Sequence, residues 1–120
     1  MRYVYVVLGA GRQGVALAYD LAVNCEAQRV LLLDMDADLA RRAAQRLETL
    51  LPKTACRFVS GRCDVSQPQE VGPHLAGAAV VLSAVPYRFN VGLTDAAIAA
   101  GASFCDLGGN TRVVREQLTR

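Results

Sequence analysis

Three runs in this chain, "YVYVVL" (residues 3–8), "VLLLD" (30–34) and "AVVLSA" (79–84), are apolar on consecutive positions, not alternate ones. A strand with one wet face alternates, whereas a strand covered on both faces does not, and the latter is the signature of a parallel sheet. Parallel neighbours need long crossovers, and segments of helical period fill the intervals here. The pattern predicts strands at 3–8, 29–34, 56–60, 79–83 and 103–106. Helices are predicted at 12–24, 37–50, 69–75 (short), 90–100 and 112–118. In the second helix Asp36 stands at the capping position. Leu39, Ala43, Leu47 and Leu50 share one face, and Glu48 and the arginines take the other. Strand–helix alternation with right-handed crossovers specifies a doubly wound α/β fold, a single three-layer αβα domain of the Rossmann type. A length of 120 residues fits one such domain and leaves no room for two.

The first strand runs straight into "GAGRQG", and an alanine-rich helix follows at once. A lone G-x-G-x-x-G is weak, but strand before and helix after are the conditions its mechanism demands. Gly9 allows the tight turn, Gly11 has no side chain to hold a pyrophosphate away, and Gly14 lets the helix pack on the first strand. The N–H groups of Arg12, Gln13 and Gly14 then lie at the positive end of the helix dipole, a ready anion site. The plain alternative is a glycine-rich turn and helix cap that bind nothing.

Asp34 lies at the tip of the second strand, twenty residues after Gly14. A carboxylate there accepts hydrogen bonds from adenosine ribose hydroxyls and repels a 2′-phosphate. Met35 and Asp36 follow it, where NADP sites place a basic or small residue, so NAD is expected over NADP. Arg12 is the counterweight, since it can reach either phosphate. Past the third strand, Asp64 and Val65 lie where an adenine ring would sit, or else Asp64 caps the next turn. Past the fourth, Ser83, Ala84, Val85 and Pro86 would border the ribose and nicotinamide, at the crevice where strand order reverses. Pro86 also fixes the chain before the next helix, a role that needs no ligand.

The charge balance excludes other classes. A formal net charge of +2 is too small to argue for nucleic acid, and Arg41, Arg42 and Arg46 read as a solvated helix face. The first apolar run is too short for a membrane span and lacks a cleavage pattern. Cys25, Cys56, Cys63 and Cys105 form no C-x-x-C pair and read as small buried hydrophobes of a reducing, cytoplasmic protein. His74, the only histidine, reads as a surface or cap residue.

Four stretches, "VVLGAGRQGVALAYDLA", "CDVS", "LSAVPYRFNVGLTDAAIAAGASFCDLGGN" and "TRVVREQL", resemble the N-terminal nucleotide-binding domain of the saccharopine dehydrogenase family, its lysine 6-dehydrogenase-like members above all. The third is the most specific, with "VPY" after the fourth strand, a small-residue helix and then "DLGGN". The resemblance implies an NAD(P)-dependent oxidoreductase transferring hydride at a C–N bond of an amino acid or imine. It also implies pyrophosphate at Gly9, Gly11, Arg12, Gln13 and Gly14, and ribose at Asp34. Adenine falls at Asp64 and Val65, and nicotinamide at Ser83 to Pro86. Tyr87, Asp106 and Asn110 fall near the substrate cleft, although Asp106 equally suits a bond to backbone N–H groups of the "GGN" turn.

Family enzymes continue into a second domain that binds substrate. This chain is therefore expected to be the N-terminal part of a larger enzyme, binding cofactor without turnover by itself, with homodimerisation open. Two other classes share the glycine loop: regulatory nucleotide-sensing domains of the potassium-channel-associated type, and methyltransferases. "VPYRFN" counts against the first, and the third glycine with "DLGGN" against the second.

Overall fold

The computed structural model describes residues 3–120. Its five strands are β1 (Tyr3–Leu8), β2 (Ala27–Asp34), β3 (Arg57–Arg62), β4 (Val80–Ser83) and β5 (Ser103–Asp106). The helices are α1 (Arg12–Asn24), α2 (Ala37–Leu50), α3 (Pro68–Val71), α4 (Asn90–Ala100) and α5 (Thr111–Gln117). Short 3-10 turns at Gly72–Leu75 and Tyr87–Phe89 complete the path. All strand pairs are parallel, in the order β3-β2-β1-β4-β5. The expected doubly wound sheet is the one found.

Side chains of β1 alternate between two cores, as a pleated strand dictates. Tyr5 and Val7 join Val30, Leu32 and Phe58 beneath α1 and α2, where Ala18, Leu21, Ala40 and Leu47 close the layer. Val6 and Leu8 join Leu33 and Val81 on the other side, closed by Val71, Leu75, Leu93 and Ala97. With both faces covered, alternation disappears from the sequence of β1. Asp36 caps α2, its carboxylate accepting from the N–H groups of Asp38 and Leu39 at 3.0 and 3.1 Å.

Three expectations change. The third strand runs to Arg62, past its apolar stretch, because pairing continues to Leu33↔Gly61 and Asp34↔Arg62. The helix expected over 69–75 breaks into α3 and a 3-10 turn, since Pro73 has no N–H to donate and its ring would strike the preceding turn. Cys56 and Cys63 are buried as expected, but Cys105 is exposed and Cys25 half-buried. Cys105 sits on β5, a sheet edge with one open face. No helix among the described residues is long and apolar enough to cross a membrane.

Candidate functional site

The loops leaving β1 and β4 lie side by side at the carboxyl ends of the sheet. The chain leaves β1 for a helix on one face and β4 for a helix on the other, so a crevice opens between them. Within it, the three loop glycines answer to three different constraints. Gly9 has φ +98°, a conformation L side chains rarely adopt, and a Cβ there would stand 3.1 Å from the carbonyl oxygen of Ala84. At Gly14 a Cβ would stand 1.8 Å from the carbonyl oxygen of Gly9, inside any van der Waals limit. Gly11 is different. Its φ is −77°, which any residue adopts, and a Cβ there would meet nothing within 4 Å. Folding does not require glycine at this position; empty space in front of the loop is what the glycine preserves.

Gly11 is also the N-cap of α1, and no side chain caps the helix. Its carbonyl accepts from Val15 at 3.0 Å, while the first-turn amides have no partner within the helix. Unused amides, a helix dipole and an open approach together make a cradle that fits a pyrophosphate. Arg12 and Gln13 are exposed there, and Gly14 is buried.

Asp34 is bound into this loop more tightly than its sequence position suggests. One carboxylate oxygen accepts from the Ala10 N–H at 2.9 Å and the other from the Asp36 N–H at 2.9 Å. The residue thus clamps the glycine loop to the β2 tip, with about two of its four lone-pair positions left for a ligand. Met35 beside it is exposed, while the Asp36 carboxylate is spent on the α2 cap.

Beyond β3, Asp64 accepts from both the N–H and the hydroxyl of Ser66, at 3.0 and 2.6 Å. Those bonds, the hydroxyl's first, hold its carboxyl below the usual carboxylate range. Asp64 therefore caps its turn; both bonds fall on one oxygen. Val65 beside it is half-buried against the core. Ser83 departs from expectation. It is 1% exposed, and its hydroxyl donates to the Asn90 side-chain oxygen at 2.8 Å, so its side chain ties β4 to α4 and does not face the crevice. The residues left to line that stretch are Ala84, Val85 and Pro86, with Val85 touching the Cβ position of Gly9.

Tyr87 and Asn110 border one groove of about 660 Å³ between the Tyr87–Phe89 turn and α5. Asn110 also caps α5, its side chain accepting from the Val113 N–H at 3.1 Å. Asp106 accepts from the Gly108 N–H at 2.7 Å, the backbone role anticipated for it, and from the Gln117 amide at 2.8 Å. Arg88, Arg112 and Arg115 line the same groove. Nothing in their spacing marks them, because only the folded loops bring residues 88 and 112–115 together. Among the described residues no group of three or more His, Cys, Asp or Glu side chains is placed to hold a metal.

Residues 5–119 match the family model described as the saccharopine dehydrogenase NADP binding domain. Among solved structures, the chain is similar to a histidine-tagged apo saccharopine dehydrogenase (L-Glu forming) from Saccharomyces cerevisiae. That match has a TM-score of 0.78 and 20% identity, over 95% of this chain and 23% of that one. Lactate dehydrogenase from Cryptosporidium parvum matches with a TM-score of 0.73 and 16% identity, over 99% and 39%. Malate dehydrogenase from Salinibacter ruber gives 0.71 and 18%, over 95% and 40%. At these identities the structures share a fold. The chain spans between 23% and 40% of their lengths.

Proposed function

Because the chain belongs to the saccharopine dehydrogenase NADP binding domain family, we propose that it is the dinucleotide-binding part of an oxidoreductase acting at a C–N bond of an amino acid or imine. Bound nicotinamide would supply the hydride donor or acceptor; the chain's own residues bind and orient. The first-turn amides of α1 hold the pyrophosphate, and the Arg12 guanidinium offsets its charge. Asp34 uses its remaining lone pairs on the adenosine ribose, Asp64 and Val65 flank the adenine, and Ala84 to Pro86 back the nicotinamide. Tyr87 and Asn110 border the side from which a substrate enters. A hydride acceptor must be held about 3–3.5 Å from the nicotinamide carbon, and groups for its far side lie outside these 120 residues, in a substrate domain of the parent enzyme.

The observation that carries this reading is Gly11, a glycine that neither backbone conformation nor packing requires, standing before uncapped helix amides. Asp34 supports NAD over NADP, since a 2′-phosphate would meet a carboxylate already held in place by two backbone bonds. The test is fluorescence titration of the chain with NADH and with NADPH. Both should bind, NADH more tightly, and Asp34→Ala should narrow the ratio of the two affinities as the ribose contact goes. Failure of the wild-type chain to bind either overturns the reading. An Asp34→Ala ratio equal to wild type removes the ribose contact and the preference built on it.

A further inference from the structure

Asn90 opens α4 directly after the Tyr87–Phe89 turn, and it is 3% exposed. Phe89 holds the capping position of α4, so the Asn90 side chain is not spent there. Instead its Oδ1 accepts from the Ser83 hydroxyl at 2.8 Å. The Thr94 hydroxyl donates to the Asn90 carbonyl at 2.7 Å and steadies the first turn. Two apolar groups of the same shape in place of Ser83 and Asn90 would serve the core about as well, since exchanging both partners of a buried bond is nearly neutral. Packing therefore gives no reason for an amide here.

The other half of that amide is unused. Nδ2 carries two N–H donors, and neither meets an acceptor among the described residues. Among those residues Arg29 Nε is the one side-chain nitrogen or oxygen both sealed from solvent and unpartnered. Nδ2 therefore touches open space. The opening is not behind it, where Leu93 and Ala97 are buried in the core. It lies toward the β4 tip, where Ser83 pairs with Leu8 and the chain runs on through Ala84 to Pro86. One strand spacing, about 4.8 Å, separates that tip from the end of β1, and the glycine loop follows β1 at once. Other polar side chains at the β4 and β5 tips are committed. Ser83 is bound to Asn90, and Asp106 accepts through both oxygens from Gly108 and Gln117. Ala84, Val85 and Pro86 can press on a flat ring, but their side chains cannot fix which way its carboxamide turns.

We infer that Asn90 recognises the nicotinamide end of the cofactor. Its Nδ2 donates to the carboxamide oxygen, and Ser83, bonded to Oδ1, keeps the amide turned that way. Asn90 is thereby the residue that separates a nicotinamide dinucleotide from an adenosine diphosphate lacking the ring. This assignment rests on the dinucleotide reading above and adds to it the recognition of one end.

The test compares NADH with ADP-ribose, which has the adenosine, the pyrophosphate and the second ribose but no nicotinamide. Both are titrated calorimetrically into the full chain. Asn90→Asp keeps the acceptor for Ser83 and replaces the donors with a second oxygen; Asn90→Ala removes both. Each variant should weaken NADH about fivefold or more, the scale of one lost hydrogen bond, and leave ADP-ribose within about twofold of wild type. Equal weakening of the two ligands by both variants shows that Asn90 only packs, and overturns the proposal. NADH affinity unchanged in both variants does the same. NMR supplies a readout that a packing role would not move. The side-chain NH2 pair of Asn90, identified by its disappearance in Asn90→Asp, should shift with NADH and stay still with ADP-ribose. A pair unmoved at saturating NADH overturns the contact. A wild-type chain that binds neither ligand overturns the dinucleotide reading itself, whereas one that binds both while Asn90 stays indifferent overturns this assignment alone.

Discussion

At the scale of the residue, Gly9, Gly11 and Gly14 are the same letter held for different reasons, and the difference is measurable. Gly14→Ala drives a methyl into the Gly9 backbone carbonyl at 1.8 Å, with no flexible side chain to give way. Thermal melting should show a loss of about 3 kcal/mol, the upper end of overpacking. Gly11→Ala meets nothing. Its melting temperature should stay within error of wild type or rise slightly, because alanine restricts the unfolded chain. Its affinity for NADH should fall at least about tenfold, because the new methyl occupies the approach to the α1 amides. If Gly11→Ala bound NADH like wild type, the open space would have no ligand to explain it. The glycine spacing and Asp34 were legible from the sequence, since local turn chemistry and a strand tip fix them. The clamp from Asp34 to Ala10 was not, because it joins residues 24 apart that meet only once β1 and β2 have paired. Ser83 misled for a related reason: a polar residue at a strand end faces a ligand or the interior with equal local signal, and Asn90, seven residues on, decides for the interior.

At the scale of the element, α1, α2 and α4 sit where expected: α1 and α2 are long enough for an apolar stripe to outweigh local noise, and α4 is stopped by Gly101 in the left-handed conformation at its end. Edge strands and one-turn helices lack that length. β3 extends past Ser60 through Gly61 and Arg62 because its partner β2 offers a ladder, a cause external to its own sequence. β5 half-buries alternate residues and leaves the others exposed, which is why Cys105 reaches solvent. Caps are the exception, being short signals with a fixed mechanism. Asp36→Ala removes two bonds to first-turn amides of α2 and should cost about 1 kcal/mol. For a domain of this size that lowers the melting temperature by roughly 4 °C. A stronger effect would mean that releasing Asp36 also loosens its N–H bond to Asp34, and NADH affinity would fall with it.

At the scale of the whole molecule, one sheet divides two apolar cores, and a cysteine reports on each. Cys56 lies with Phe58 and Leu47 on the α1–α2 face, Cys63 with Leu8 and Val71 on the opposite face. Burial pushes both thiols upward from the ordinary range, because the interior disfavours a thiolate. A group whose pKa is raised in the folded state stabilises that state fully below its unfolded value. The contribution is lost as pH climbs through the folded one. Stability should therefore be level across neutral pH and decline above about 8.5, the unfolded thiol value. In reaction with a thiol reagent at pH 8, exposed Cys105 should label at once, while Cys56 and Cys63 wait for the chain to open. β1 contributes Tyr5 and Val7 to one core and Val6 and Leu8 to the other, so neither face can come apart without disturbing its central strand. Cooperative opening follows, and Cys56 and Cys63 should then become labelled with the same protection free energy, equal to that of global unfolding. Cys63 labelling ahead of Cys56 would instead mean that the face closed by the broken α3 segment opens as a separate unit, and that the sheet holds its two sides independently.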